Sequence, residues 1–301
     1  MPTAIEPGHS QPLPSKMREW SEMIKIEHTV FALPFALSGL ILALPKLPDA
    51  MTVLYTTLAF AGARAAAMTL NRLIDSEIDA RNPRTNDRAI PQGRIKKGHA
   101  LFGAIASFAI MLAAASQLPS LCLQLSPIAI GWLSFYSFTK RFTWLCHIVL
   151  GIALGGAALG GWVAAGGELT MAAPWVLALA VTTWVAGFDI IYACQDVSFD
   201  QNEKLHSIPA RFGVGTALLI SRALHVVTVG SLFALSQLLH LGIAYWVGLF
   251  LVTGMLMYEH SIVKKDDLSR VNAAFFTVNG VVSILVFLTI LIDKVIAVSN
   301  N

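Results

Sequence analysis

The chain has 301 residues, of which 55% are hydrophobic and only 13% charged, against about 25% charged in a soluble globular domain. Long apolar runs replace the missing charge, which excludes an ordinary soluble domain and indicates a polytopic membrane protein. The formal charge of +3 is too small to imply a nucleic-acid partner, and the three cysteines, Cys122, Cys146 and Cys194, lie far apart with no metal-ligand spacing.

Residues 1–28 are polar, contain four prolines and lack the apolar core of a signal peptide. They read as a cytoplasmic tail leading into an amphipathic segment from about Ser15 to Glu27. Residues 29–293 form one transmembrane domain. A spanning helix needs about 20 apolar residues at 1.5 Å rise each. Nine segments qualify, near 29–47, 50–74, 98–118, 120–138, 146–166, 171–195, 213–235, 239–258 and 273–293. Small residues are frequent in them, as in GIALGGAALGGWVAAGG at 151–167, and such residues let helices approach closely in lipid. The expected fold is therefore all-α, nine transmembrane helices bundled around a central cavity, with cap loops on the cytoplasmic side.

The cations support that count. With nine spans, the tail and the loops after spans 2, 4, 6 and 8 share one side, and that side carries 17 of the 21 Lys and Arg residues. Only Lys46 and Lys294 fall on the other; Arg64 and Arg222 lie inside spans. The positive-inside rule makes the rich side, and the N-terminus, cytoplasmic.

Two acidic stretches follow spans on that side, NRLIDSEIDARNPRTNDRAIPQG at 71–93 and DIIYACQDVSFDQNEKLHSIPARFG at 189–213. Each holds aspartates four apart, Asp75 with Asp79 and Asp196 with Asp200, a spacing that puts a pair on one helix face. Like charges beside a membrane are unfavourable and call for compensation. Magnesium supplies it, binding carboxylate oxygens while keeping positions for substrate phosphates. Solvated acidic loops neutralised by basic neighbours are the plain alternative, and two similar clusters on one side weigh against it. Asp189, seven before Asp196, shares its face two turns deeper, where an ionisable group is a functional candidate by default.

Arg64 lies mid-span, seven before Asn71 and eleven before Asp75. At about 100° per residue these offsets fall within about 20° of one face, so the three make a polar stripe. An unpaired arginine there would be expensive. Two explanations stay open: an ion pair with a carboxylate such as Asp189, or a bidentate seat for the carboxylate of a substrate.

These residues carry a family resemblance. Asn71-Arg72-x-x-Asp75-x-x-x-Asp79, followed by Arg84-Thr85, Arg88 and Pro91, resembles the first signature of the UbiA prenyltransferase superfamily. The arginine seven before the asparagine resembles its hydroxybenzoate prenyltransferase branch. Asp189-x-x-Tyr192-x-x-x-Asp196-x-x-x-Asp200, with Ser207 and Phe212-Gly213, resembles the second signature, and Tyr136-Ser-Phe-Thr-Lys140-Arg141 is similar to the family segment after the fourth helix. The likeness covers about residues 20–293. Two departures stand out: Arg72 occupies a position where the family usually has Asp, which removes one potential ligand, and Ser198 and Phe199 stand where further acids are often found.

The resemblance implies a Mg2+-dependent enzyme of a bacterial inner membrane, working in quinone biosynthesis. It would transfer a polyprenyl group from its diphosphate to an aromatic hydroxy acid, 4-hydroxybenzoate, or 1,4-dihydroxy-6-naphthoate by a variant route. Asp75, Asp79, Asp196 and Asp200, with Asn71, would hold the metal. Lys25, Arg84, Lys140, Arg141 and Arg211 are cations for the phosphate oxygens. Arg64 would seat the acceptor acid and Asp189 would contribute to the substrate site. Tyr192, with Phe188 and Tyr136 nearby, offers aromatic faces to an allylic cation. The prenyl tail would lie among apolar helices or reach lipid. An ion-coupled transporter is the alternative of another class, since intramembrane acids also mark ion pathways, but transporters set their sites at the midplane on broken helices.

Overall fold

The computed structural model describes residues 13–25 and 29–300, and among them the chain is helical with no strand longer than one isolated bridge. Helix α1 (Leu13–Ile24) is the amphipathic segment, and Glu27, at the expected end of that segment, lies outside the described residues. The apolar helices follow: α2 (Thr29–Leu42), α3 (Ala50–Ile74), the short α4 (Ser76–Arg81), α5 (Lys97–Ala115), α6 (Ser120–Thr139), α7 (Cys146–Ala164), α8 (Ala172–Ala193), the short α9 (Val197–Asn202), α10 (Ile208–Leu239), α11 (Ile243–Ile262) and α12 (Asn279–Ser299).

Each of the nine expected spans falls on a helix. Seven helical stretches among the described residues are long and apolar enough to cross a membrane. The other two are α2 and α11. Helix α2 is described over 14 residues, about 21 Å at 1.5 Å per residue against a hydrocarbon layer of about 30 Å. Helix α11 carries Glu259 and His260 in its last turn, which dilute its apolar character. Its start also lies four residues later than the sequence suggests, because His240 caps α10 in the left-handed conformation (φ 50°). Helix α10 is bent where Gly213 takes φ 80°, a value that favours glycine.

Close approach of backbones explains the small residues. A Cβ on Gly161 of α7 would overlap the Ala36 carbonyl of α2, and a Cβ on Gly39 would overlap the Ala158 carbonyl in return. The reciprocal glycines let α2 and α7 touch along their axes, the small-residue contact expected in lipid. The main core lies among α2, α7, α8, α10, α11 and α12, where Phe35, Trp162, Leu177, Trp184, Leu235, Val282 and Ile290 are buried. Large apolar side chains such as Phe102, Ile128, Val226, Phe250 and Met257 point outward. So many exposed apolar groups suit a bilayer and not water.

Both acidic stretches are breaks between helices. Helix α3 stops at Asp75, whose φ and ψ of −88° and 1° leave the helical region, and α4 starts one residue later. Helix α8 tightens into a 3-10 turn at Cys194–Asp196 and resumes as α9. The regular i, i+4 faces expected for each pair are thus interrupted at Asp75 and Asp196, and the backbone swings α4 and α9 across the end of the bundle. Two ties join these cap elements: Arg81 to Glu203 at 2.8 Å, and Asn82 to Asp196 at 3.2 Å.

Candidate active site

The two breaks face one cavity of about 740 Å³. Of the residues singled out from sequence, Lys25, Arg64, Asn71, Asp75, Asp79, Arg84, Lys140, Asp189, Tyr192, Asp196 and Asp200 all line it. Arg141 does not. Its guanidinium caps α3 by donating to the Ile74 carbonyl at 2.6 Å and stands 3.5 Å from Asp75 Oδ1. Arg211 also turns away, stacking over Trp144 and Phe212 at 5.8 and 5.4 Å.

Each acid has a defined set of partners. Asp75 is 3% exposed; its Oδ2 meets Lys140 Nζ at 2.7 Å and accepts from Asn71 Nδ2 at 3.2 Å. Its Oδ1 is buried and accepts no hydrogen bond. Asp79 takes Arg88 on both oxygens at 2.6 Å and the Thr85 hydroxyl at 3.1 Å. Asp196 takes a two-point contact from Arg84, with Nε donating to Oδ1 at 2.9 Å and a second nitrogen donating to Oδ2. The same Arg84 donates to the Tyr192 hydroxyl at 3.0 Å. Burial of Arg84 works against its charge, but the Asp196 carboxylate outweighs it and holds the guanidinium above its ordinary pKa. Asp200 accepts from Ser207 at 2.7 Å.

Asp189 has a histidine as a partner. His147 Nε2 accepts from the Ile208 N–H at 3.3 Å, which leaves the proton on Nδ1, and Nδ1 donates to Asp189 Oδ2 at 2.7 Å. Sequence reasoning missed His147, which opens α7 and carries no motif around it. It also missed Asn82 and Thr85 as clamps on Asp196 and Asp79.

The cavity has an aromatic wall. Tyr192 packs on Phe275 with ring centroids 4.2 Å apart, and Phe188 meets Phe275 at 5.3 Å. Phe275 and Phe276 belong to a π-helical stretch, Ala273–Val278, that runs into α12. A second cavity of about 530 Å³ lies against the first between α3, α5, α6 and α7. Its lining is almost entirely apolar, and Arg64, Met68, Tyr136, Leu150 and Leu154 border both.

Fold and site together describe an apolar helical bundle with a carboxylate-rich pocket that opens beside an apolar one. The family model for the UbiA prenyltransferase family matches residues 32–281, and the chain belongs to that family. Among curated proteins it is 29% identical to the 4-hydroxybenzoate octaprenyltransferase of Vibrio cholerae over 88% of this chain and 94% of that one. It is 29% identical to the enzyme of the same name from Sodalis glossinidius over 92% and 96%. Among solved structures, the apo form of a UbiA homolog from Aeropyrum pernix K1 is similar with TM-score 0.82 and 34% identity, over 89% of this chain and 98% of that one. A UbiA homolog from Archaeoglobus fulgidus bound to DMAPP and Mg2+ shares the fold with TM-score 0.74 and 22% identity, over 92% and 99%.

Proposed function

We propose that this enzyme transfers a polyprenyl group from its diphosphate to 4-hydroxybenzoate, with Mg2+ held by Asp75, Asp79, Asp196 and Asp200 and helped by Asn71. The single observation that carries the reading is the convergence of both acid pairs and Arg64 on one cavity that adjoins an apolar one. The donor set fits the ion. All five residues offer oxygen, which hard divalent cations prefer, and Asp75 Oδ1 is a buried carboxylate oxygen that accepts no hydrogen bond. Bound there, the metal would neutralise the diphosphate and ease departure of a poor leaving group.

The rest belongs to the protein's own groups. Lys140 and Arg84 now sit on Asp75 and Asp196. When a diphosphate enters, they are placed to turn toward its oxygens, with Lys25 beside them in the cavity wall. Breaking the C–O bond sends its electron pair to the diphosphate and leaves an allylic cation. The faces of Tyr192, Phe188 and Phe275 stabilise that cation, and the cap built on α4 and α9 excludes the water that would quench it. The acceptor ring then forms the C–C bond and gives its ring proton to the released diphosphate. Arg64 seats the acceptor carboxylate at the border of the two cavities, Asp189 with His147 lines the acceptor's side, and the prenyl tail lies in the apolar cavity. The protein would sit in a bacterial inner membrane with its N-terminus and this pocket on the cytoplasmic side, which the cation distribution supports.

The test is prenyl transfer by the purified protein in detergent, with a long-chain prenyl diphosphate and Mg2+, offering 4-hydroxybenzoate and 1,4-dihydroxy-6-naphthoate in parallel. Product from 4-hydroxybenzoate that EDTA abolishes is the expected result. Product from the naphthoate alone would move the enzyme to the other quinone route, and no product from either would refute the aromatic-acid reading.

A further inference from the structure

A second polar cluster lies away from the catalytic cavity, in the packing between α8, α10, α11 and α12. Glu259 is 0% exposed, Asn279 1% and His225 3%, while His260 is half-buried. His225 Nδ1 lies 2.9 Å from His260 Nε2 and 3.5 Å from Glu259 Oε2. No lysine or arginine pairs with Glu259 among the described residues, and its Oε2 accepts no hydrogen bond. A bare carboxylate at zero exposure inside a membrane protein is expensive. Either a proton or a bound cation must neutralise it at that point.

The surrounding contacts aim lone pairs at it. His225 Nε2 lies 3.2 Å from the Trp184 carbonyl, which can only accept, so the ring proton sits on Nε2 and Nδ1 presents its lone pair to Glu259 and His260. Glu259 Oε1 is taken up by Asn279 Nδ2 at 2.8 Å, which turns Oε2 toward the histidines. The His225 ring itself fits only because residue 187 is glycine; a Cβ there would collide with Nε2. The nitrogen, oxygen and nitrogen atoms offered by the three residues lie within 4.8 Å of one another. Metal–ligand bonds of about 2.0–2.2 Å in a tetrahedral site put ligand atoms about 3.3–3.6 Å apart. The observed 2.9 and 3.5 Å are within half an ångström of that spacing.

We propose that His225, Glu259 and His260 bind one divalent transition-metal ion of the zinc class, separate from the oxygen-lined magnesium site. Two imidazoles and one carboxylate suit zinc or cobalt far better than magnesium. The supporting contacts, Trp184 carbonyl to His225 and Asn279 to Glu259, are the kind that orient metal ligands. The ion would staple α10 to α11, and through Asn279, which also donates to the Ala274 carbonyl at 3.0 Å, it would fix the π-helical stretch that carries Phe275 into the catalytic wall.

The experiment uses the full chain in detergent, stripped with chelator, refilled with millimolar Mg2+ to occupy oxygen sites, and titrated with Co2+. The expected result is about one equivalent bound, with visible absorption of a four-coordinate nitrogen–oxygen site that Zn2+ displaces. Glu259→Gln and His260→Gln should each weaken binding by at least about 100-fold, and Asn279→Ala by about 10- to 100-fold. Asp196→Ala should leave cobalt uptake intact. X-ray absorption on the wild-type protein, which needs no variant to fold, should show two imidazole shells. A folded wild-type protein that takes up no stoichiometric cobalt, a metal shell without imidazole, or equal uptake by the folded Glu259→Gln and His260→Gln variants would overturn the proposal.

Discussion

The first and second acid pairs look alike in sequence, yet the structure holds them differently. Asp75 and Asp79 have side chains 4% and 6% exposed, each pinned by cations from its own half of the chain, Lys140 on one and Arg88 on the other. Asp196 has a side chain 16% exposed, and its cation, Arg84, reaches across from the first stretch. Asp75, at the end of α3, is therefore a floor held from its own half of the chain, and Asp196 is a wall held by a cation that reaches over from the first stretch. A carboxylate that is buried between charges contributes to folding as well as to chemistry, whereas one held by a cap contributes mainly when the cap is closed.

Replacing the acids breaks that contrast most directly. Asp75→Ala and Asp196→Ala should each lower kcat by about a thousandfold or more, a loss of about 4 kcal/mol of transition-state stabilisation. Only Asp75→Ala should also lower the thermal midpoint measurably in detergent, because it strands Lys140 and Arg141 beside an empty position. Equal destabilisation by the two variants, read by thermal unfolding monitored by size exclusion, would remove the distinction between floor and wall. The next effect in size concerns the cations. Arg84→Ala, by freeing the second pair and opening the cap, should raise the KM for the prenyl diphosphate by about 10- to 100-fold and lower kcat too. Lys140→Ala should raise the same KM by about tenfold.

How far the sequence carries this picture depends on what sets each feature. Span positions and the two acid pairs are legible because period, length and charge act locally; Arg64, Asn71 and Asp75 could be placed on one stripe from helical angles alone. The breaks at Asp75 and Asp196 are not legible, since a helical i, i+4 pattern looks the same whether the helix continues or turns. His147 and Asn82 were missed because their partners are chosen by tertiary contact: His147 meets Asp189 across 42 residues and Asn82 meets Asp196 across 114. The buried cluster of His225, Glu259 and His260 was invisible for the same reason. The outward turn of Arg211 follows from the neighbouring rings of Trp144 and Phe212, which no spacing rule announces.

Arg64 tests whether the border between the cavities is where the acceptor sits. Asp189 is engaged by His147, and both readings of Arg64, a structural contact and a seat for the substrate carboxylate, are separated by kinetics. Arg64→Ala should raise the KM for the aromatic acid by about 10- to 100-fold, the worth of a charge-assisted bidentate contact, while the KM for the diphosphate changes less than about twofold. An equal rise in both constants would return Arg64 to a structural role. Arg64→Lys should recover only part of the loss, since an ammonium cannot reproduce the planar fork.

The smallest expected effect separates the two parts of Tyr192. Its hydroxyl accepts from Arg84 at 3.0 Å, and its ring faces the cavity beside Phe275. If the hydroxyl matters mainly for holding Arg84, Tyr192→Phe removes one charge-assisted hydrogen bond of about 1.5 kcal/mol and should cost about tenfold in kcat/KM, most of it in the diphosphate's KM. If the ring stabilises the allylic cation, Tyr192→Leu, which keeps the bulk but not the π face, should lower kcat by about a further tenfold at saturating diphosphate. Steady-state kinetics on the two variants reads both quantities. A Tyr192→Leu enzyme with the kcat of Tyr192→Phe would mean that the ring serves only as packing for Phe275, and the cation would then rest on the other aromatic faces of the wall.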